Sequence, residues 1–338
     1  MSDTFRIGVV GLGDWARRAY LPNIELMDGV ALAAVSTRSE GNLQAAQALV
    51  TAQPRVYRDW GALIADGGLD GLIVATAAPS HREVAEAALR SGLPVLCEKP
   101  LAPSTEDCDA LAAAVAKGGV LLQVGLEFRH APVLVATAGR IAEGQIGAPS
   151  LVQCEILRDK RDSVTSNPEK WTRLGGVFLE FLCHYLDVMC WLADGEPVAV
   201  GGSAGKRLGT EAWDHGAVFV EHDNGATATL AFSLFAPSGG ERLRLDVLGD
   251  EGSLQVSLKA GEIRHIPAGG EPEDFRVPAP GHPSKPYPGS YEQIRAFVDA
   301  VRTGARPAVD AAVWKRVMAV ATAAGQAVGG HRRVHLAR

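Results

Sequence analysis

The chain has 338 residues, of which 33 are basic and 39 acidic, so its formal net charge is −6. At about 150 residues per domain this length predicts two domains, and the 47% of apolar residues is enough for two cores. An acidic balance without a basic block argues against nucleic acid as the main ligand.

The first predicted element is a buried strand over residues 5–10, followed by a turn rich in small residues. The turn reads Gly11-Leu12-Gly13-Asp14-Trp15-Ala16, a G-x-G-x-x-A pattern, and a helical stretch from Arg17 to Met27 follows. In this setting Gly11 permits the tight turn, Gly13 lets a pyrophosphate approach the backbone, and Ala16 allows close packing of helix and strand. We therefore predict dinucleotide binding by this turn, Asp14 and Trp15 included, against the alternative of a purely structural glycine turn.

The second predicted strand, residues 31–35, bears on the choice of cofactor. An NAD site typically has an acidic residue at the end of this strand, about 20 residues past the glycines, which binds the ribose hydroxyls. Here the strand ends in Ser36-Thr37-Arg38-Ser39, and the first acid is Glu40. Two hydroxyls and a guanidinium suit a 2′-phosphate, because arginine pairs with phosphate in a bidentate way. We therefore predict NADP rather than NAD, with a solvated turn as the alternative.

Polar residues also follow the next strands of the predicted sheet. Thr76 comes after a strand over residues 71–75, and His81 lies in the first turn of the following helix, where Ser80 and Glu83 have the spacing of a capping box. A further short strand runs into Glu98-Lys99-Pro100. Ligands bind beyond the carboxyl ends of parallel strands, so we expect Thr76, Glu98 and Lys99 to meet the cofactor. His81 either contacts the cofactor or completes its turn.

Strands and helices alternate up to a last strand at 120–124, and beyond it the pattern changes. Consecutive strands are predicted at 215–222, 226–235, 242–248 and 253–258, with an Asn-Gly hairpin turn at 224–225. The fold class is therefore α/β, with an N-terminal Rossmann doubly wound parallel sheet over residues 1–124. A C-terminal α+β domain with a large open, mainly antiparallel sheet is predicted over 125–338, and the C-terminal helices are expected to pack back on the first domain.

The end of the second predicted domain contains two more local patterns. Residues 267–288 are rich in proline and glycine, which predicts a surface loop. Ser290 and Gln293 have capping-box spacing at the start of the following helix. The open face of the sheet needs cover, so we expect a homodimer or homotetramer that forms through it.

A buried helix in this second domain carries an ionisable stripe. It opens with Gly175-Gly176 and is apolar nearly all round, except for Glu180, His184 and Asp187. Their spacing of four and three places them on one side of the helix. Buried ionisable groups need mutual hydrogen bonds or a water-filled cleft. The stripe is therefore either a satisfied core triad or a general acid/base histidine that is positioned by carboxylates.

The glycine turn, the Glu98-Lys99-Pro100 motif and the Gly-Gly…Glu-x-x-x-His-x-x-Asp helix together resemble the Gfo/Idh/MocA family of nicotinamide-dependent oxidoreductases. The resemblance spans nearly the whole chain, including the stretch Gly125–Pro132. It implies that Lys99 contacts nicotinamide and substrate and that His184 is the acid/base. Glu180 stands where the family commonly has aspartate, and Ser80 where it commonly has asparagine.

The resemblance implies hydride transfer between nicotinamide C4 and a secondary alcohol or ketone of a sugar, cyclitol or sugar derivative. The predicted catalytic residues are Lys99, His184, Glu180 and Asp187. The predicted substrate-binding residues are Lys99, Arg129, Arg158, Trp171, Glu180 and His184. Two rival functions are an NAD-dependent glycosidase that uses transient oxidation and a non-catalytic regulator that senses a dinucleotide. The presence of both Lys99 and His184 favours catalysis.

Basic residues from 158 to 173 flank the entrance to the central helix. They either form a solvated surface or bind a negatively charged substrate such as a sugar acid. Trp171 among them either stacks on a sugar ring or belongs to the core.

The five cysteines, 97, 108, 154, 183 and 190, contain no Cys-x-x-Cys pair and predict reduced thiols in a cytoplasmic protein. The first strand begins within five residues of the N-terminus, so a signal peptide is not expected. Apolar runs stay short of the about 18 residues that span a bilayer. A zinc site at Cys183 and His184 is not expected, because adjacent helix residues point about 100° apart.

Overall fold

A computed structural model describes residues 4–102, 104–173, 175–237, 239–278 and 288–336, which divide into two compact units. Unit 1 holds the described residues up to Ala131 and those from 288 to Lys315. Unit 2 holds those from Pro132 to 278 and from Arg316 onward. Unit 1 thus extends beyond the predicted boundary after residue 124 and takes in a segment near the C-terminus.

The helices are, in chain order, α1 (Leu21–Glu25), α2 (Glu40–Gln47), α3 (Trp60–Asp66), α4 (His81–Arg90), α5 (Thr105–Gly118), α6 (Pro132–Ala142), α7 (Arg161–Ser166), α8 (Pro168–Thr172), α9 (Cys183–Leu192), α10 (Ser290–Thr303) and α11 (Ala311–Gly330). A π-helical segment precedes two of them, Ala16–Tyr20 before α1 and Phe178–Leu182 before α9. Such segments are rare in proteins and are frequent at functional sites.

Unit 1 is built on a parallel sheet. Its strands are β1 (Phe5–Val10), β2 (Val30–Ser36), β3 (Arg55–Tyr57), β4 (Gly71–Val74), β5 (Val95–Glu98) and β6 (Leu122–Gly125). The described residues give the order β3-β2-β1-β4-β5-β6, with neighbouring strands parallel. This is the doubly wound order of dinucleotide-binding folds, so the predicted Rossmann sheet is confirmed. The order reverses between β1 and β4, and there the crevice for a ligand opens.

Helix α10 supplies part of the core of unit 1. Ile294, Phe297 and Val298 are buried in the same hydrophobic cluster as the residues of β1. The ring of Phe297 meets Phe5 edge to face, with 6.4 Å between centroids. Helix α10 therefore helps to stabilise the sheet that carries the glycine-rich turn.

Unit 2 is built on a large mixed sheet. Its strands are β7 (Pro149–Leu157), β8 (Pro197–Gly205), β9 (His215–His222), β10 (Thr227–Ser233), β11 (Arg242–Gly249), β12 (Gly252–Ser257), β13 (Glu262–Pro267), β14 (Glu273–Arg276) and β15 (Val334–His335). Across the described residues their order is β14-β13-β12-β11-β7-β10-β9-β8-β15. Strand β7 pairs in parallel with β10, and the other pairs are antiparallel, which confirms the mainly antiparallel sheet. The predicted hairpin turn joins β9 to β10, with φ +88° at Gly225.

Three local predictions need correction or stay open. Part of the predicted loop 267–288 forms strand β14, which pairs with β13. Residues 279–287 of that loop fall outside the described chain. Ser290 is buried as the first residue of α10 and follows Gly289 at the N-cap, so it does not begin a capping box. Ser80 closes a 3₁₀ turn over Ala78–Ser80 instead of capping α4 through its hydroxyl.

Candidate functional site

The glycine-rich turn lies at the carboxyl end of β1, beside the switch point. Gly11 has φ +92°, and a Cβ there would come within 2.5 Å of the carbonyl oxygen of Ala75, so another residue would not fit. A Cβ on Gly13 would meet no atom of the described chain within 4 Å. The backbone at Gly13 is therefore open to a ligand, as a pyrophosphate requires. Asp14 is exposed and pairs with Arg18 at 3.0 Å.

The end of β2 carries the predicted ribose contacts. Ser36 and Thr37 are buried, and Arg38 is exposed. Arg58, after β3, donates to the carbonyl oxygen of Thr37 at 3.4 Å and pairs with Glu40. A second guanidinium that sequence reasoning missed thus lies beside the same strand tip. Its position at the carboxyl end of a parallel strand was the signal that could have found it.

His81 is buried and lies between two strand tips. Its Nδ1 is 2.8 Å from the carbonyl oxygen of Pro100, and its Nε2 is 2.9 Å from that of Thr76. The ring therefore links the segment after β4 to the residue that follows Lys99. Both ring nitrogens face backbone carbonyls, so the structure favours the turn-completing alternative for His81 over direct contact with a cofactor.

The carboxylate of Glu98 is held by donors within unit 1. Only 6% of the residue is exposed, and its carboxylate accepts hydrogen bonds from Trp15 Nε1 at 2.6 Å and from the hydroxyl of Tyr20. The backbone N–H of Lys99 donates to the other carboxylate oxygen at 3.1 Å. The expectation that Glu98 binds the cofactor therefore needs correction, because protein donors occupy its carboxylate. Lys99 itself is half-buried at the tip of β5, and its bond to Pro100 is cis.

Buried side chains with acidic protons lie near the end of β5. Burial raises the pKa of Glu98, against the opposing effects of the Tyr20 hydrogen bond and the charge of Lys99. Burial, and then the charge of Glu98, raises the pKa of Tyr20 well above its ordinary value. Glu127, just after β6, has its pKa raised to about 8 by burial and by the charge of Glu98. Sequence reasoning missed Glu127, although it named Arg129 in the same 3₁₀ turn (Glu127–His130).

In unit 2 the ionisable stripe begins in the π-helical segment and continues into α9. Glu180 lies in the π-helical part and pairs with Lys170 of α8, with 3.4 Å between Oε1 and Nζ. His184 is half-buried and Asp187 is buried on α9. Gly175 and Gly176, which precede the segment, have φ of +85° and +63°. The helix therefore starts later and less regularly than the sequence predicts.

The remaining predicted substrate residues have protein partners. Trp171 is 3% exposed, its indole N–H donates to Ser163, and its ring packs on Phe181. This places Trp171 in the core and removes it from the predicted substrate contacts. Arg158 lies 3.6 Å from a carboxylate oxygen of Glu241. Arg161 pairs with Asp159 at 3.0 Å, so carboxylates already balance much of the basic stretch.

Sequence comparison identifies two known domains. Residues 5–126 match the family described as an oxidoreductase family with an NAD-binding Rossmann fold, and residues 135–255 match the GFO/IDH/MocA C-terminal domain. Inositol 2-dehydrogenase 1 of Saccharopolyspora erythraea is 30% identical over 311 residues, which cover 89% of this chain and 87% of that protein. The scyllo-inositol 2-dehydrogenase (NAD(+)) of Bacillus subtilis is 27% identical over 254 residues, covering 73% and 72%.

Solved structures share the fold over the whole chain. An oxidoreductase of Agrobacterium radiobacter, in complex with NAD+, L-tartaric acid and magnesium, has a TM-score of 0.87 at 21% identity and covers 98% of each chain. A levoglucosan dehydrogenase, in complex with NADH and levoglucosan, has a TM-score of 0.86 at 19% identity and covers 99% of this chain and 100% of that one. With the two domain matches and the 30% identical relative, these likenesses lead to one conclusion: the chain belongs to the Gfo/Idh/MocA family of oxidoreductases.

Proposed function

We propose that this protein is a nicotinamide-dependent dehydrogenase or reductase that interconverts a secondary alcohol and a ketone on a cyclitol or sugar. The observation that carries the proposal is the position of Lys99 at the carboxyl end of β5, at the same sheet edge as the glycine-rich turn. Ligands of such sheets bind at this edge. A relative named inositol 2-dehydrogenase, 30% identical over most of both chains, supports the substrate class.

The residues of the turn fit a dinucleotide. The open backbone at Gly13 suits the pyrophosphate, and the end of β2 with Ser36, Thr37 and Arg38 suits the ribose. When bound, a nicotinamide supplies the redox chemistry by taking a hydride from the carbinol carbon or returning one to the carbonyl carbon.

Lys99 and His184 are the residues that we propose to serve the reacting oxygen. During oxidation the hydroxyl loses its proton, which a neutral imidazole at His184 accepts, and during reduction the imidazolium returns it. The ammonium of Lys99 stabilises the negative charge that develops on that oxygen. Glu180 and Asp187 lie on the same helical stretch and position His184 or bind a neighbouring hydroxyl.

A neutral polyol fits the site better than a sugar acid. Lys170 is paired with Glu180, Arg161 with Asp159, and Arg158 is near Glu241. An anionic substrate would have to compete with these carboxylates for the same cations. Arg129, half-buried in its 3₁₀ turn, remains a candidate for a hydroxyl contact.

We also propose that the site prefers NADP to NAD. Arg38 is exposed at the tip of β2, and Arg58, which pairs with Glu40, lies next to Thr37, so two guanidinium groups lie near the proposed place of a 2′-phosphate. The Bacillus subtilis relative carries NAD in its name, so the two cofactors must be compared directly on this chain.

Assembly through the open face of the sheet in unit 2 remains our proposal. The face that carries Leu230 and Phe232 is buried, and Phe232 packs on Phe178 with 5.8 Å between ring centroids. The opposite face presents Phe219, which is 36% exposed. A second copy of the chain would cover this apolar ring in a homodimer or homotetramer.

The location of the protein in the cytoplasm is likewise a proposal. The five cysteines all lie in the described chain and are free, and Cys97, Cys108, Cys154 and Cys183 are buried. Free thiols are typical of reducing compartments. No helix among the described residues is long and apolar enough to cross a membrane.

Replacement of the two proposed catalytic residues tests the function. Lys99→Ala and His184→Ala should each lower kcat on myo-inositol or a related polyol by roughly 10²-fold or more. Lys117→Ala at the end of α5 and His331→Ala near the C-terminus are matched controls on exposed side chains and should leave kcat unchanged. Near-native turnover in both test variants would refute the assignment.

A further inference from the structure

The carboxylate of Glu98 joins two segments that are distant in the sequence. Trp15, in the glycine-rich turn, donates its indole N–H to Glu98 Oε1 at 2.6 Å. Glu98 Oε2 accepts the backbone N–H of Lys99 at 3.1 Å. One side chain therefore connects the turn that receives the dinucleotide to the backbone of the lysine at the strand tip.

The surroundings of Glu98 show a built site and not a chance contact. The hydroxyl of Tyr20 donates to the same oxygen as Trp15 does, and Gln293 Nε2 donates to that hydroxyl oxygen at 3.1 Å. The carboxylate lies over Gly125 of the neighbouring strand β6, where a Cβ would come within 2.9 Å of Oε1. A larger residue at 125 would displace the carboxylate from its donors.

The two charged neighbours at the end of β5 differ in position and burial. Glu98 is the last residue of the strand, and Lys99 follows it in a bend. Glu98 is buried and Lys99 is half-buried. The hydrogen bonds from Trp15 and Tyr20 hold the carboxylate of Glu98 inside unit 1.

We propose that the Trp15–Glu98 hydrogen bond couples the glycine-rich turn to Lys99, and that Trp15 and Glu98 are positioning residues. When a dinucleotide orders the turn, Trp15 fixes Glu98, and Glu98 fixes the backbone of Lys99. The inference rests on the proposed function only in taking Lys99 as the residue that meets the reacting oxygen.

Hydrogen exchange at the amide of Lys99 tests this link without any turnover. Trp15→Phe removes the indole donor and keeps an aromatic ring, and Trp60→Phe, at the start of α3, is the matched loss of an indole elsewhere in unit 1. Without cofactor, the Lys99 amide should exchange roughly tenfold faster in Trp15→Phe than in Trp60→Phe, because a hydrogen bond to a carboxylate is lost. Saturating NADH should slow this exchange in the wild type and in Trp60→Phe, and much less in Trp15→Phe.

The outcomes separate the inference from the proposed function. Exchange at Lys99 that is the same in Trp15→Phe and in the wild type, with and without NADH, would overturn the coupling. A failure of the wild type to bind either NADH or NADPH would overturn the proposed function instead, and the exchange rates without cofactor would still decide whether Trp15 holds Glu98. Should Trp15→Phe fold poorly, Tyr20→Phe removes the other donor to the same oxygen and should also speed exchange at Lys99.

Steady-state kinetics supply a second readout. If Trp15 acts through Lys99, Trp15→Phe should lower kcat by roughly tenfold and change the KM for the cofactor less than threefold. A raised cofactor KM with unchanged kcat would instead mark Trp15 as a cofactor contact and contradict the positioning role.

Discussion

Glu127 combines deep burial with a carboxyl group at the end of the last parallel strand. It is 5% exposed, and its pKa lies at about 8, compared with an ordinary value of 4.5, because burial and the charge of Glu98 both disfavour ionisation. The folded protein therefore keeps this proton over a range in which the unfolded chain has released it. Such a group costs stability as the pH rises.

Glu127→Gln should remove this cost. Below pH 4.5 both states of the chain hold the proton, so the variant should match the wild type. Between pH 4.5 and about 8 the variant should gain in relative free energy of unfolding, by roughly 5 kcal/mol at the upper end of the range. Denaturant midpoints measured from pH 4.5 to 8.5 check the effect. A difference that does not grow with pH would show that Glu127 is ionised in the folded protein.

The proposed preference for NADP also depends on single residues. Arg38→Ala should reduce the affinity for NADPH by roughly tenfold and leave that for NADH nearly unchanged, since arginine recognises the 2′-phosphate and not the ribose hydroxyl. Arg58→Ala should act in the same direction, because Arg58 lies beside Thr37. Fluorescence titration with both cofactors measures the ratio. Equal loss for NADH and NADPH, or no loss, would argue against NADP preference.

At the scale of elements, the two glycines of the turn have different structural roles. Gly11→Ala would force a Cβ against the carbonyl of Ala75 at a positive φ, so it should lower the free energy of unfolding by roughly 2 kcal/mol as well as weaken NADH binding. Gly13→Ala meets open space, so its stability should be near that of the wild type while NADH binding weakens. Thermal unfolding together with NADH titration separates the two effects. Equal stability of both variants would contradict the geometry of the turn.

The sequence predicts an element correctly where its local residue pattern agrees with its burial in the fold. Continuous apolar runs mark the parallel strands, and the Asn224-Gly225 turn marks the hairpin, because these signals lie within a few neighbouring residues. Asp310 directly precedes α11 and caps it, accepting from the backbone N–H of Val313 at 3.0 Å. Local chemistry is thus sufficient where the contact is local.

Distant contacts override local patterns at the candidate site. Gln293 has the spacing of a capping box, yet its side chain donates to Tyr20, far away in the sequence. Glu98 looks like a ligand contact from its strand-end position, yet Trp15 and Tyr20 occupy its carboxylate. The π-helical starts before α1 and α9 leave no pattern that distinguishes them from ordinary helix. Such features depend on which side chains meet after folding.

At the scale of the whole molecule, the proposed catalytic residues lie in different units. Unit 1 carries the turn and Lys99, and unit 2 carries the helical stretch with His184 and the large sheet. The outer face of that sheet holds Phe219, whose ring lies over Gly201 of the adjacent strand. We propose that a second copy of the chain covers this ring.

Assembly through this face can be tested with a single substitution that introduces a charge. Phe219→Asp should shift the protein towards monomer, because a carboxylate would be buried without a partner between two sheets. Leu49→Asp, at an exposed apolar position of unit 1, is the matched control and should keep the wild-type mass. Light scattering after size-exclusion chromatography reports the mass. A wild type that is monomeric, or a Phe219→Asp variant that keeps its assembly, would contradict the proposal.

The most direct test of the central claim is cofactor reduction by the purified chain. NAD+ and NADP+ are each offered with myo-inositol, scyllo-inositol and a panel of neutral sugars, and the absorbance of the reduced nicotinamide is followed. We expect steady reduction with at least one neutral polyol, faster with NADP+, and its loss in Lys99→Ala but not in Lys117→Ala. Equal rates in Lys99→Ala and the wild type, or no reduction with any polyol and no oxidation of NADH or NADPH with the matching ketones, would contradict the account.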